Sequence, residues 1–361
     1  MGRALRGLAL GLALALLLGA GALLGWRALA ANMARPAANA APVRIEVPPG
    51  APLRGILSRL QQQGALSHAR WVELYLRLRS QSPRAQAGRY EIAPHATPSQ
   101  IITQLAQGRV LLASITVVEG WSFAQMRAAL DHDADVSHQL LGLSDQQLMS
   151  ALGHPGQAPE GRFFPDTYRF AAGTPDRKIL QMAYQRMQST LADDWAQRAA
   201  DLPVTNPYQA LILASIVEKE TGRPDERPKI AAVFCNRLRL GMRLQSDPTV
   251  IYGLGERYDG TIHTVDLTTD TPYNTYTRAG LPPTPIALPG AASLRATLHP
   301  ADIDALYFVA TGDGDGSHHF SATLAEHDRA VRAYLRRLGV TPAAPGDTAA
   351  ARPAAPKRAA P

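Results

Sequence analysis

Two glutamates at the end of an apolar stretch are the residues of this sequence best suited to acid–base chemistry. Glu218 and Glu220 follow a run of Leu, Ile, Ala, Ser and Val that begins just after Asn206 and Pro207. Asn is a favourable N-cap and Pro a favourable first helical residue, so this pair predicts a helix that ends at Gly222. Its apolar side chains point all round the axis at about 100° per residue, which indicates a buried helix.

A carboxyl group at the C-terminal end of a buried helix has two reasons to keep its proton. Burial disfavours the charged form, and the negative end of the helix dipole acts in the same direction. A carboxyl that is protonated near neutral pH can serve as a general acid. Periodicity does not choose between Glu218 and Glu220, and an ion pair of either with Lys219, Arg223 or a later arginine is the structural alternative.

Length and composition limit what positions these glutamates. The 361 residues suggest two folded units, and 46% hydrophobic with 19% charged residues exclude wholesale disorder and collagen-like or coiled-coil classes. The single Cys235 excludes an intramolecular disulfide and a Cys-based zinc cluster. The net charge of +7 favours a negatively charged partner, which leaves nucleic acid, lipid headgroups and an acidic polymer open.

An uncharged stretch near the N-terminus predicts a membrane anchor. Residues 7–26 end in Trp26 and, as a helix, would span roughly 30 Å, the thickness of a bilayer core. A cleavable signal peptide is the alternative, since Ala28-Leu29-Ala30 resembles a cleavage site, but such peptides have apolar cores of about 7–15 residues.

The charges around this stretch predict its orientation. Arg3 and Arg6 precede it and favour a cytoplasmic N-terminus, although Arg27 and Arg35 beyond it weaken the asymmetry. With that orientation the chain after residue 30 lies outside the cytoplasm, on the periplasmic or extracytoplasmic side. We therefore expect no nucleic-acid partner and an anionic envelope component instead.

The remaining pattern predicts an α+β protein, with a small α/β subdomain ahead of a larger α+β catalytic domain. The first segment alternates as a strand over Val43–Val47, and a helix beginning at Thr97-Pro98-Ser99 is flanked by two further strands. This small unit resembles the LysM-like module of cell-wall proteins; a spacer without glycan contact is the alternative. The predicted division is an anchor at 1–30, a linker at 31–42, the LysM-like subdomain at 43–118, the catalytic domain at 119–340 and a disordered Ala/Pro-rich tail at 341–361.

Five separated motifs together resemble one enzyme family. They read EGRFFPDTY from residue 160, LILASIVEKETG from 211, QSDPTVIYG from 245, YNTYTRAGLPPTPI from 273 and YFVATGDGDGSHHFSATLAEH from 307. Over residues 43–337 the chain is similar to the endolytic murein transglycosylases of the YceG-like family. The resemblance implies a membrane-anchored enzyme that cuts nascent peptidoglycan glycan strands beside their synthases, the penicillin-binding proteins, and so affects strand length.

The resemblance also assigns the acid. By motif position the family's catalytic glutamate falls on Glu218, which would protonate the departing oxygen of the β-1,4 bond between N-acetylmuramic acid and N-acetylglucosamine. A lytic transglycosylase then lets the C6 hydroxyl of the muramic acid attack, so one residue acts first as acid and then as base. The product carries a 1,6-anhydromuramoyl end, and no water is consumed.

Polar and aromatic residues in the same motifs are candidates for sugar recognition, because aromatic faces cover the apolar side of a pyranose and amides bond its hydroxyls. As alternatives, an Asp before Pro often forms a turn, and Asn or Tyr often braces a Pro-rich loop. Asn236 and Arg237 are also candidates to pair with Glu218. The predicted substrate-binding residues are Gln245, Ser246, Asp247, Asn274, Tyr273, Tyr276, Glu160, Asp166, Tyr168 and Asn236.

Two other functions stay open at this point. A glycoside hydrolase would use Asp247 or Glu160 as a second carboxylate, and a non-catalytic peptidoglycan-binding scaffold would use Glu218 only structurally. His299, His318 and His319 lack the spacing of a metal motif, so no metal and no cofactor are predicted.

Overall fold

A computed structural model of the chain describes residues 2–48 and 50–340, and it divides into two compact units. The first unit contains the described residues up to Ser114 together with residues 134–137 and 169–174. The second contains residues 115–133, 138–168 and the described residues from Pro175 onward. Two short segments from the middle of the chain thus complete the first unit, whereas the sequence predicts one continuous stretch for each of its two folded domains. The predicted tail, residues 341–361, lies outside the described residues.

The first unit is built on an antiparallel strand pair and three short helices, joined to a long N-terminal helix. Val43 pairs with Ile92 and Val47 with Gly88 across the two strands. The likeness of this unit to a LysM module stays a prediction. Its elements up to residue 106 are α1 (Gly2–Ala34), β1 (Val43–Val47), α2 (Leu53–Gln62), α3 (Ala69–Leu78), β2 (Gly88–Ile92) and α4 (Pro98–Ala106).

Helix α1 contains a segment, Leu10–Ala34, that is long and apolar enough to cross a membrane. The leucines of this segment up to Leu24 are exposed. The helix continues beyond residue 30, and Met33 near its end is buried in the core of the first unit with Ile45, Tyr90 and Ile101. The first residues of the predicted linker are therefore helical and packed.

The second unit is mainly helical. Four two-stranded sheets are formed among the described residues of the whole chain: β1 with β2, β3 with β5, β4 with β6 and β7 with β8. The prediction of an α+β fold is confirmed. The elements that follow α4 are β3 (Leu112–Thr116), α5 (Phe123–His132), β4 (Val136–Ser137), α6 (Asp145–Ala151), β5 (Thr167–Ala171), β6 (Thr174–Pro175), α7 (Asp176–Ala196), α8 (Pro207–Glu220), α9 (Arg227–Arg239), α10 (Asp247–Leu254), α11 (Thr264–Thr268), α12 (Ala291–Leu298), β7 (Tyr307–Ala310), β8 (His318–Ser321) and α13 (Leu324–Arg337).

Helix α8 is the centre of this second unit. Helices α7, α9, α10 and α12 all pack against it. Every residue from Ala210 to Glu218 is buried, because the helix has no polar face. The side chains at its C-terminal end are therefore held by several neighbouring elements at once.

Candidate active site

Helix α8 begins as the sequence predicts. Asn206 is its N-cap, and the side-chain Oδ1 accepts a hydrogen bond of 3.0 Å from the backbone N–H of Gln209. The helix ends at Glu220, and Thr221 is extended. Both candidate glutamates therefore lie in the last turn, but their surroundings differ.

The Glu218 carboxyl is buried between a backbone donor and an arginine. Its Oε2 accepts a hydrogen bond of 3.0 Å from the N–H of Gly290, and its Oε1 lies 3.9 Å from a guanidinium nitrogen of Arg227. Only 6% of the Glu218 side chain is exposed. Gly290 is the N-cap of α12, so the positive end of that helix dipole also faces the carboxyl. These contacts stabilise negative charge on Glu218, and Arg227 is the later arginine that the ion-pair alternative requires.

Glu119 is a second carboxyl beside Gly290, and it is not among the site residues that the sequence predicts. A Cβ added to Gly290 would lie 1.8 Å from Glu119 Oε1, so the Glu119 carboxyl covers the Cα of the glycine whose N–H binds Glu218. Burial raises the pKa of Glu119, the charge of Glu218 raises it further, and Arg227 lowers it. No local pattern points to Glu119, because its partners are distant in sequence.

The segment that ends at Gly290 is held by hydrogen bonds on two sides. The Leu288 N–H donates to the carbonyl of Trp121 at 2.7 Å, and the Gly120 N–H donates to the carbonyl of Leu288 at 2.9 Å. On the α8 side, the Ile286 N–H donates to Ser215 Oγ at 3.0 Å. These bonds place the Glu119 loop and the end of α8 on either side of one backbone segment.

Glu220 has a different environment from Glu218. The Ser246 hydroxyl donates a hydrogen bond of 2.6 Å to Glu220 Oε1, and the Ser246 N–H donates to Thr275 Oγ1 at 3.0 Å. Ser246 is 1% exposed. Glu220 therefore joins α8 to the QSDPT segment.

Gln245 lies beside this link in an unusual backbone conformation. Its φ is +49°, in the left-handed region that costs a non-glycine residue roughly 1–2 kcal/mol. Its N–H donates to the carbonyl of Thr275 at 3.1 Å, and its side chain is exposed. Backbone strain of this kind is concentrated at functional sites.

The tyrosine and asparagine motif lies against the same segment. The Tyr276 hydroxyl donates to Asp247 Oδ1, at the first residue of α10. Asn274 is 1% exposed; its Nδ2 donates to three backbone carbonyls, and its Oδ1 accepts from the Tyr276 N–H at 2.9 Å. Asn274 therefore braces its own loop, and its contact with a sugar stays a prediction.

Glu160 forms a separate buried cluster with two aromatic residues. Its Oε1 accepts from the N–H of Phe123 at 3.0 Å, and its Oε2 accepts from the hydroxyl of Tyr252 at 3.1 Å. Burial raises the pKa of Glu160 to about 7, although both hydrogen bonds act in the opposite direction. The ring of Tyr252 meets that of Tyr273 edge to face at 4.9 Å between centroids. This cluster therefore links Glu160 to the tyrosine motif.

Three of the predicted substrate-binding residues make contacts with other parts of the protein. Asp166 is exposed and lies 3.5 Å from a guanidinium nitrogen of Arg186. The Tyr168 hydroxyl donates to the carbonyl of Phe164 at 2.5 Å. Asn236 holds the segment before β7 by donating to two backbone carbonyls, at 2.8 and 3.1 Å. Substrate contacts of these residues stay predictions.

A cavity of about 300 Å³ lies in the loop that follows α11. This volume is at the lower end of the range for small-ligand sites. Its lining includes the polar residues Asn274, Thr275 and Arg278 and the apolar residue Leu281. In the part of the chain that the structure describes, no group of three His, Cys, Asp or Glu side chains could hold a metal ion.

Comparison with known proteins matches residues 45–333 to the YceG-like family. The endolytic murein transglycosylase of Bacillus subtilis is 31% identical over 313 residues, which cover 81% of this chain and 85% of that protein. The endolytic murein transglycosylase of Streptococcus pneumoniae is 24% identical over 326 residues, and the match covers only 58% of that longer protein. A solved YceG-like protein of Listeria monocytogenes is 28% identical, with 80% of this chain and 98% of that chain covered and a TM-score of 0.49.

Proposed function

Because the chain belongs to the YceG-like family, and so is an enzyme of the lytic transglycosylase class, we propose that it cleaves the β-1,4 bond between N-acetylmuramic acid and N-acetylglucosamine in peptidoglycan glycan strands. The proposed products are 1,6-anhydromuramoyl ends. The observation that carries the proposal is the buried Glu218 carboxyl, held between the Gly290 N–H and Arg227. The names of the bacterial relatives support the choice of substrate.

One carboxyl is enough for this reaction. Glu218 donates its proton to the glycosidic oxygen as the bond to the anomeric carbon breaks and positive charge develops there. The C6 hydroxyl of the muramic acid then bonds to that carbon and loses its proton to Glu218, so the enzyme returns to its starting state. Between the two steps Glu218 is ionised, and the Gly290 N–H and Arg227 stabilise that form.

Glu119 is proposed as a positioning residue for this step. Its carboxyl lies against Gly290, the residue that supplies the backbone donor to Glu218. It therefore limits the movement of the donor and adds negative charge close to Glu218. Among the described site residues, no other two carboxyls both contact the same glycine.

Glycan recognition is proposed for the segment around α10 and the loop after α11. Gln245 is exposed and held in a strained conformation, while Asp247 and Tyr276 are partly exposed and bonded to each other. Ser246 and Asn274 act indirectly, since they hold these segments in place. The cavity of about 300 Å³ beside Asn274 would take part of one sugar residue.

The cellular setting is part of the same proposal. Helix α1 would anchor the chain in the inner membrane with its N-terminus in the cytoplasm, and the rest would act on the periplasmic side. Supporting this are the apolar length of Leu10–Ala34 and the two arginines before it. Internal cutting of nascent strands, near the penicillin-binding synthases, rests on the family resemblance.

One structural observation favours a second candidate, a muramidase that hydrolyses the same bond. A hydrolase needs a second carboxylate to activate water or attack the anomeric carbon. Glu119 lies beside Glu218 and could take that role, for which the sequence alone offers Asp247 and Glu160. The two reactions differ in their products.

Mass spectrometry of the products tests the proposal directly. Purified glycan strands would be incubated with the full chain, with Glu218→Gln and with Glu220→Gln. Glu220→Gln is the matched control, since Glu220 lies two residues further along the same helix turn. We expect anhydromuramoyl ends from the native chain and from Glu220→Gln, and at least a 100-fold loss in Glu218→Gln. Reducing ends would identify a hydrolase, and cleavage that survives in Glu218→Gln would overturn the assignment of the acid.

A further inference from the structure

Helix α3 of the first unit carries an exposed apolar stripe. Trp71, Leu74 and Leu78 are 46%, 46% and 60% exposed. Their spacing of three and four residues puts them on one face of the helix. The other face packs Val72 and Leu76 into the core of the unit. Large apolar side chains in one exposed patch indicate a surface that has a partner.

The stripe lies beside the helix that is long enough to cross a membrane. The ring of Trp26 in α1 stacks on Tyr75 of α3, with 5.3 Å between centroids and 16° between planes. Tyr75 is four residues after Trp71 and borders the stripe, about 40° round the helix from Trp71 on the side away from Leu74. The exposed face of α3 is therefore continuous with the surface of α1.

Trp26 also indicates where on α1 a bilayer would end. It is the last residue of the uncharged run that starts at residue 7, and Arg27 follows it. Tryptophan and tyrosine favour the boundary between hydrocarbon and water, where their rings are in apolar surroundings and their polar groups stay hydrated. A bilayer around α1 would thus have its surface at the level of Trp26 and Tyr75.

The end of α1 holds the unit in this position. Met33 is 5% exposed and packs in the core of the first unit, and Asn32 is also buried. The helix is continuous from the apolar run to these buried residues. Because α1 is packed at Met33 and at Trp26, α3 has a fixed place relative to the membrane segment.

The charges around the stripe suit a lipid surface. Arg70, Arg77 and Arg79 are exposed on α3 or directly after it. Glu73 is bonded to Arg77 at 2.8 Å, and Arg79 donates to the hydroxyl of Tyr75 at 3.0 Å. An apolar face flanked by arginines is the pattern of helices that lie in the plane of a membrane surface.

We infer that α3 lies in the headgroup region of the bilayer that α1 crosses, with Trp71, Leu74 and Leu78 inserted toward the acyl chains. The occupant of the stripe is thus the lipid surface. The inference rests on the proposed membrane anchor and is independent of the chemistry at Glu218. It assigns the first unit a second point of attachment to the membrane.

Fluorescence quenching in vesicles tests this surface. The full chain would carry a single added cysteine at Leu74, labelled with an environment-sensitive dye and reconstituted into phosphatidylethanolamine and phosphatidylglycerol vesicles with brominated acyl chains. Burial raises the pKa of the native Cys235 to about 11, so it stays unreactive at neutral pH and need not be replaced. Leu16→Cys in α1 reports the anchor, and Leu112→Cys is the matched control, an exposed leucine of the same unit.

We expect quenching at positions 16 and 74 to exceed that at position 112 by at least about twofold, since a surface helix is buried by roughly 5–10 Å. Quenching at 16 without quenching at 74 would overturn the surface and leave the anchor intact. Equal quenching at 74 and 112 would also overturn it, because the effect would then not be specific to α3. Quenching at neither 16 nor 74 would overturn the anchor and the surface together, while glycan cleavage can still be measured separately.

Discussion

Replacement of Gly290 by alanine is expected to displace Glu119 without removing any charge from the site. The backbone of Gly290 has φ −79° and ψ 172°, which alanine adopts readily. The new Cβ would lie 1.8 Å from Glu119 Oε1, so that oxygen must retreat by roughly 1.6 Å to reach an ordinary contact distance. The N–H that binds Glu218 is retained. The variant therefore isolates the position of Glu119 from its presence.

The structure indicates the size of the effect. A misplacement of about 1 Å near reacting groups can cost on the order of 100-fold in rate, so we expect Gly290→Ala to lower kcat by roughly 10- to 100-fold. The stability cost should be small, about 1 kcal/mol, because alanine is a poorer N-cap than glycine and part of the Glu119 side chain faces solvent, into which the displaced carboxyl can turn. The melting temperature should fall by roughly 2–4 °C.

The assay is the rate at which anhydromuramoyl ends form, measured for Gly290→Ala, Glu119→Ala and the double variant. If alanine acts through Glu119, the double variant should be no slower than Glu119→Ala alone. Gly55→Ala is a control, since its new Cβ would lie 3.7 Å from the nearest atom. Native activity in Gly290→Ala, or a double variant much slower than Glu119→Ala, would refute the reasoning.

Three further predictions follow from the neighbouring residues. Burial raises the pKa of Glu160 to about 7, from an ordinary value of 4.5. The contribution of Glu160 to the free energy of unfolding is therefore complete below about pH 4.5 and falls by up to about 3 kcal/mol as the pH rises through 7. Urea unfolding should show this fall in the native chain and not in Glu160→Gln. Asn274→Ala removes four hydrogen bonds between a buried side chain and the backbone of its loop and should cost about 3 kcal/mol in thermal unfolding. A loss below about 1 kcal/mol would mean that the loop is braced by other groups. Gln245→Gly relieves the backbone strain at φ +49° and should change stability by less than about 1 kcal/mol while weakening glycan binding in a sedimentation assay; unchanged binding would exclude a contact of this side chain with the glycan.

Helix starts could be predicted where the signal is local. Asn206 caps α8, and Thr323 with Glu326 forms the capping box of α13, as their sequence patterns indicate. Helix α10 is harder to predict, because an Asp before a proline is also a common turn pattern. Ser246 as N-cap with Pro248 in the first turn is in fact a helix-start signal.

The site could be predicted only in part, because its contacts connect distant segments. Gly290 lies 72 residues beyond Glu218, and Glu119 precedes the whole of α8. The helical wheel cannot distinguish Glu218 from Glu220, since what separates them is the identity of the groups opposite, Gly290 and Arg227 for one and Ser246 for the other. Family resemblance supplied the choice that periodicity could not.

The division of the chain has a consequence for its biosynthesis. The first unit includes residues 134–137 and 169–174, which the ribosome makes only after it has begun the second unit at residue 115. At roughly 5–20 residues per second, at least several seconds separate the synthesis of Ser114 from that of Thr174. The N-terminal unit therefore cannot complete its fold when the chain up to Ser114 has emerged. Its folding ends only after the segment that finishes at Thr174 has been made.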